Sequence, residues 1–209
     1  MLLTSPLLCC ITAENSCSVE QAEKALEGGA GMIQLRNKSA SGSQLFTWAQ
    51  KIQALCRHHQ AVCIVNDRVD IALAADTDGV HLGQEDLPLT EARKLLGKDK
   101  IIGATVSTAD EAKIAQREGC SYVGLGHIFP TNSKKKDSEP VGPGRIREIK
   151  AIISIPVLAI GGIDTSNVCD VIRARANGVA VISAVSQAAD PVKAAAQLLK
   201  TMQSCRQNL

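Results

Sequence analysis

Eight times along the 209-residue chain, a short run of β-branched residues and leucine gives way to a longer amphipathic stretch. The runs that read as strands are Leu7–Thr12, Gly31–Leu35, Val62–Val65, Gly79–Leu82, Ile101–Thr105, Tyr122–Leu125, Pro156–Ile160 and Gly178–Ile182. The helical stretches between and after them are Val19–Glu27, Gln44–His58, Arg68–Ala75, Thr90–Leu96, Ala109–Glu118, Gly144–Ile152, Ser166–Ala174 and Pro191–Met202. Strict alternation of this kind forces a parallel sheet with right-handed crossovers. Eight units leave about 26 residues each, which fits the small end of a closed barrel. The expected fold class is therefore α/β, a single-domain (β/α)8 TIM barrel spanning residues 1–209. The rival is an open doubly wound sheet, but no G-x-G-x-x-G follows the first strand. Gly28-Gly29, Gly119 and Asn177-Gly178 read as helix C-caps that turn the chain into the next strand.

Composition narrows the function. Trp48, Tyr122, Phe46 and Phe129 are the only aromatic residues, so the core must be Ile, Val, Leu and Ala, which argues against a base-stacking nucleic-acid surface. The net charge of +2 implies no polyanionic partner; Lys134-Lys135-Lys136 is the strongest basic cluster and suits one small phosphate. The eight cysteines contain no C-x-x-C and no histidine at zinc-ligand spacing, and several sit in apolar runs. They predict reduced thiols and a cytoplasmic setting. The apolar N-terminus, Met1 to Ile11, lacks a basic flank and is too short to span a bilayer, so no membrane association is expected. Homo-oligomerisation is left open.

Chemistry-bearing residues collect after the strands, where a barrel would gather them at one mouth. Gln34-Leu35-Arg36-Asn37-Lys38 follows the second strand, Asn66-Asp67-Arg68 the third, and His81 to Asp86 the fourth. Arg36 and Lys38 alternate about a strand end, which places both on one face. Two such cations invite an anion, Arg as a planar fork and Lys as a point charge; rim charges held in solvent are the alternative. Asp67 and Asp86 suit magnesium, which takes few protein oxygens and favours substrate phosphates. An N-cap role for Asp67 and a local turn role for Asp86 compete with that reading. Gly161-Gly162 and Ile182-Ser183 end the last two strands, where backbone N–H groups commonly meet a phosphate. Ser107-Thr108-Ala109-Asp110 reads as a capping box, which makes Ser107 structural and leaves Thr105 as the ligand candidate. His81 and His127 are of the residue type suited to acid–base work near neutral pH but have no nucleophile partner in sequence. The long polar connection from His127 to Pro143 follows the sixth strand and belongs on the catalytic face.

The ordered set of these motifs resembles the thiamine-phosphate synthases over nearly the whole chain. The resemblance rests on residues 34–38, 65–72, 79–88, Phe129-Pro130-Thr131-Asn132-Ser133-Lys134 and Ala159-Ile160-Gly161-Gly162-Ile163. It implies an enzyme that joins a hydroxymethylpyrimidine diphosphate to a thiazole phosphate, releasing pyrophosphate. By motif, Gln34, Arg36, Lys38, Asn66 and Lys134 would hold the pyrimidine diphosphate, with Thr105 touching the pyrimidine. Asp67 and Asp86 would hold Mg2+, Thr131 and Ser133 with Gly162, Ile182 and Ser183 would hold the thiazole phosphate, and Leu35, Asn37 and Asn132 are further substrate-binding candidates. Thr105 and Ser133 exchange one hydroxyl residue for another relative to the family pattern. His127 stands where the family often has proline, a feature shared with related thiazole tautomerases, but those tend to lack the paired acids and the cationic second-strand motif. A tautomerase and a non-catalytic binding barrel are the rival readings. The expected chemistry is ionisation of the diphosphate, with Arg36, Lys38 and Lys134 stabilising charge on the leaving group.

Overall fold

The computed structural model describes residues 6–14, 16–131 and 139–207. Eight parallel strands close into a barrel in sequence order: β1 Leu7–Ile11, β2 Met32–Leu35, β3 Val62–Asn66, β4 Gly79–Leu82, β5 Ile101–Val106, β6 Tyr122–Gly126, β7 Val157–Ile160 and β8 Gly178–Val181. Closure is made by β1 against β8, with Cys9 beside Ala180 and Cys10 beside Val181. Around the barrel run α1 Ser18–Glu27, α2 Gly42–His58, α3 Val69–Ala74, α4 Leu89–Leu96, α5 Ala109–Arg117, α6 Gly144–Lys150, α7 Val168–Arg173, α8 Ser183–Ser186 and α9 Pro191–Gln207.

The strands read as unbroken apolar runs because both of their faces are covered. On β1, Leu7, Cys9 and Ile11 point into the barrel beside Met32, Val62, Ile64 and Leu158, whereas Leu8 and Cys10 join the outer layer between sheet and helices. That outer layer takes one stripe from each helix. On α2 the buried positions Leu45, Ala49, Ile52 and Cys56 recur at helical spacing. Ser41 caps this helix, accepting from the Gln44 backbone N–H while the Gln44 side chain accepts from the Ser41 N–H.

Two local expectations are corrected. The box at the fifth helix lies one residue further on: Thr108 is the N-cap and Glu111 its partner. Ser107 instead donates from its hydroxyl to the Gly126 carbonyl and gives its backbone N–H to Glu111. Asn177-Gly178 is not a helix cap either. Gly178 opens β8, where a Cβ would lie 2.1 Å from the Leu7 carbonyl oxygen, and Asn177 Oδ1 accepts from the Val157 N–H and from Lys150. Gly29 and Gly119 do sit at helix ends with positive φ, 90° and 83°.

Six cysteines are free thiols, but the reduced interior favoured by the sequence is not complete: Cys169 on α7 and Cys205 on α9 are joined as a disulfide, with Cα atoms 5.5 Å apart. Spacing alone hides this pair, because α7 and α9 meet only once the barrel has closed. Among the described residues no helix is long and apolar enough to cross a membrane.

Candidate active site

A cavity of about 550 Å³ opens at the C-terminal ends of the strands. Strand direction puts it there: the carboxyl end of every parallel strand faces the same mouth. Gln34, Arg36, Asn66 and Thr105 line one part of it, and Thr131, Gly162, Ile182 and Ser183 another. Gln34 is buried at the end of β2 and donates from Nε2 to Asn66 Oδ1 at 2.7 Å, so neighbouring strand ends lock each other's amides.

The charges are arranged differently from a pair of repelling cations. β2 ends at Leu35, and past it Arg36 is held by Thr12, whose hydroxyl accepts from the Arg36 N–H and donates to its carbonyl. The Arg36 guanidinium then meets Glu14 at 2.9 Å. Lys38 turns the other way and reaches Asp67 at 3.5 Å. Each cation has its own carboxylate, 22 residues earlier in the chain for Arg36 and 29 residues later for Lys38, a pairing that strand periodicity does not contain.

Asp67 does not cap α3; Arg68 occupies that position and no side chain caps the helix. Asp67 sits at φ 63°, a left-handed turn that an Asp tolerates better than most residues. Its N–H donates to the His81 carbonyl at 2.9 Å, which ties the end of β3 to β4. Burial raises the Asp67 carboxyl above its ordinary range; the Asp86 carboxylate, within hydrogen-bonding reach, adds to this, and Lys38 opposes it. Asp86 is positioned by its own turn, accepting from the Gly83 N–H at 2.6 Å. The turn role expected as an alternative for Asp86 is real, but it uses Oδ2 only. Two carboxylates in contact favour a shared proton or a cation between them.

Deeper in the barrel lies a row that sequence reasoning passed over. His81 Nδ1 is 3.0 Å from the Tyr122 hydroxyl, and His81 Nε2 is 2.9 Å from Thr105 Oγ1. Gln84 donates to the Thr105 carbonyl from above. The signal was present, since His81 and Tyr122 stand at strand positions of matched register: His81 pairs with Gly103, and Gly103 with Tyr122.

The far wall is built by backbone. Gly161 and Gly162 have φ of 97° and 65°, and a Cβ on Gly162 would lie 2.3 Å from the Pro130 carbonyl oxygen. The segment after β6 thus packs directly on the glycines, with Phe129 donating its N–H to the Gly161 carbonyl. Asn167 closes the turn, donating to the Gly162 carbonyl at 2.8 Å. β8 ends at Val181, one residue short of the expected Ile182, and the chain then makes the short helix α8, whose first residue is Ser183. Four residues are too few to show helical periodicity in sequence. His127 is buried in the cavity wall.

Some expected ligands lie elsewhere. Leu35 is buried in the outer layer, facing the helices and not the mouth. Asn37 Oδ1 is occupied by the loop itself, accepting from the Ser39 N–H and hydroxyl and from the Ala40 N–H. Neither side chain lines the cavity, and Lys38, Asp67 and Asp86 form a cluster outside its lining. Asn132, Ser133 and Lys134 lie outside the described residues.

A closed parallel barrel with convergent amides, an acid pair, two cations and a glycine-backed wall at its carboxyl end defines an enzyme of the (β/α)8 class. Residues 8–185 match the family model described as thiamine monophosphate synthase. The thiamine-phosphate synthase of Chlorobium limicola is 61% identical over 203 residues, 97% of this chain and 97% of that one. That of Methanospirillum hungatei is 49% identical, covering 84% of this chain and 85% of the relative. Among solved structures, the thiamine phosphate pyrophosphorylase from Pyrococcus furiosus superposes with a TM-score of 0.89 at 39% identity, covering 96% of both chains. The chain belongs to the thiamine-phosphate synthase family. It is a transferase, and its reaction is the family's: the hydroxymethylpyrimidine group passes from its diphosphate to a thiazole phosphate, giving thiamine phosphate and pyrophosphate.

Proposed function

We propose that residues 1–209 act as one catalytic unit that drives this transfer by ionising the pyrimidine diphosphate at the mouth formed by β2, β3 and β4. The observation that carries the reading is the contact of Asp67 with both Asp86 and Lys38, at the edge of a cavity that holds Arg36, Gln34 and Asn66. An acid pair in which burial and the neighbouring Asp86 raise the proton affinity of Asp67 fits a divalent cation, and hard carboxylate oxygens on a small site suit magnesium. Asp67 and Asp86 would hold Mg2+, which when bound supplies charge neutralisation to a diphosphate.

The chain's own residues do the rest. Arg36 and Lys38 move from Glu14 and Asp67 onto diphosphate oxygens, and Lys134 joins them, so that negative charge gathering on the leaving group meets fixed cations. Gln34, Asn66 and Thr105 orient the pyrimidine. Thr131, Asn132 and Ser133 hold the thiazole phosphate against Gly162, Ile182 and Ser183, where the glycine backbone and the first turn of α8 present N–H groups. The thiazole nitrogen is then placed to attack the carbon that the diphosphate leaves. Positioning two anionic substrates accounts for much of the acceleration, and no protein nucleophile takes part. The setting is cytoplasmic and the partners are these small molecules, with no nucleic acid and no membrane.

The test is pyrophosphate release with both substrates and magnesium. Asp67→Ala should lower turnover by at least about a hundredfold while far-UV circular dichroism stays native, and Lys134→Ala should lower the rate of the coupling step. Wild-type turnover in the Asp67 variant would remove the metal assignment, and an unchanged single-turnover rate would remove Lys134 from the leaving-group role.

A further inference from the structure

His81 has both ring nitrogens engaged inside the barrel, Nδ1 with Tyr122 and Nε2 with Thr105. Tyr122 is 1% exposed, and burial pushes its phenol well above the ordinary range, so it carries its proton. That proton needs an acceptor. The nitrogen in reach is His81 Nδ1; Cys9 shares the inner layer, but a thiol is a poor acceptor. With Nδ1 accepting, neutral His81 carries its hydrogen on Nε2 and donates it to Thr105 Oγ1. The Thr105 hydroxyl has then used a lone pair on His81 and keeps its own proton for the cavity.

The row is seated by the absence of side chains on two adjacent strands. A Cβ on Gly103 would lie 2.2 Å from Tyr122 Cζ and 2.5 Å from His81 Nδ1, and one on Gly124 would lie 2.9 Å from His81 Cε1. Gly124 pairs in register with Thr105, so the imidazole lies over the strand pair that carries its partner.

We propose that His81 is a positioning residue that fixes the Thr105 hydroxyl as a hydrogen-bond donor to the substrate, so that the site selects a pyrimidine presenting a ring-nitrogen acceptor at that point and disfavours one presenting an N–H. The inference rests on the reading of Thr105 as a pyrimidine contact and extends it to how that contact acquires its polarity.

Nitrogen-15 spectra of the histidine-labelled whole enzyme, assigned by loss of signal in His81→Gln, should show His81 neutral with Nε2 protonated. Kinetics supply the second arm. Tyr122→Phe, His81→Leu and Gly124→Ala should each raise KM for the pyrimidine diphosphate by roughly five- to tenfold, the worth of one neutral hydrogen bond, and leave KM for the thiazole phosphate within about twofold. His81→Gln, which keeps an acceptor and a donor at the end of its chain, should recover most of the loss. Protonation at Nδ1 would overturn the proposal. So would an unchanged pyrimidine KM in folded Tyr122→Phe and Gly124→Ala, or an equal rise in both KM values. Wild-type enzyme that released no pyrophosphate would instead bring down the parent reading.

Discussion

At the residue scale, the acid pair carries a measurable cost. Asp67 is the group whose carboxyl is raised, first by burial and then by Asp86. The sign follows from linkage: a carboxyl that binds its proton more tightly in the folded state contributes stability at low pH and loses it as pH rises through its folded value. At neutral pH the ionised form therefore works against the fold. Asp67→Asn should raise the thermal midpoint in metal-free buffer, read by differential scanning calorimetry, and, with Asp67 and Asp86 as the proposed magnesium ligands, should abolish the further rise expected when magnesium is added to the wild type. A magnesium concentration one hundred times its dissociation constant stabilises by about 2.7 kcal/mol, so the second effect is easily seen. A lowered midpoint would mean that Asp67 is held by stabilising contacts instead. The identity of this residue was legible in the sequence; its environment was not. Strand order placed Asn66, Asp67 and Asp86 at one mouth, but the Asp67 to Lys38 and Arg36 to Glu14 pairings depend on how loops fold back over the barrel rim. The placing of Leu35 and Asn37 away from the cavity was hidden for the same reason, since one side chain faces outward and the other closes its own loop.

At the element scale, the text of the chain was informative wherever an element is long. All eight strands fall where apolar runs begin and end to within a residue or two, because a strand buried on both faces must be apolar throughout. Short elements behave otherwise. α8 was invisible at four residues, and the capping box of α5 was displaced by one, since Ser107 and Thr108 both have cap chemistry and only the backbone decides between them. Ser41 is the better test of capping, as both halves of its box are formed. Ser41→Ala should cost about 1 kcal/mol, seen as a fall in thermal midpoint of about 2–4 °C for a chain of this size, with kcat unchanged. No shift would mean that packing alone starts α2.

At the scale of the whole molecule, closure links the ends of the chain. α9 lies against α1 and α7, and the Cys169–Cys205 disulfide ties α7 to α9 across 36 residues. A loop of that length restricts the unfolded chain enough to contribute between about 3 and 4.7 kcal/mol. Cys205→Ser should lose that amount in denaturant titrations without reductant and match the reduced wild type when dithiothreitol is present. Equal stability of the two under oxidising conditions would show the bridge contributing nothing.

Glu14 and Asp67 also act as built-in counter-ions for the two rim cations. A lone phosphate arriving at the mouth gains little, because it must evict a tethered carboxylate that is always at high local concentration. A diphosphate accompanied by a divalent ion offers charge to both sides of the exchange at once, satisfying the displaced acid as well as the freed base. With Arg36 and Lys38 as the proposed diphosphate ligands, these pairings would guard the mouth against other small anions. Glu14→Gln should relax that guard, lowering the inhibition constant for free pyrophosphate severalfold in steady-state assays; an unchanged constant would mean that Arg36 reaches its ligand without first leaving Glu14.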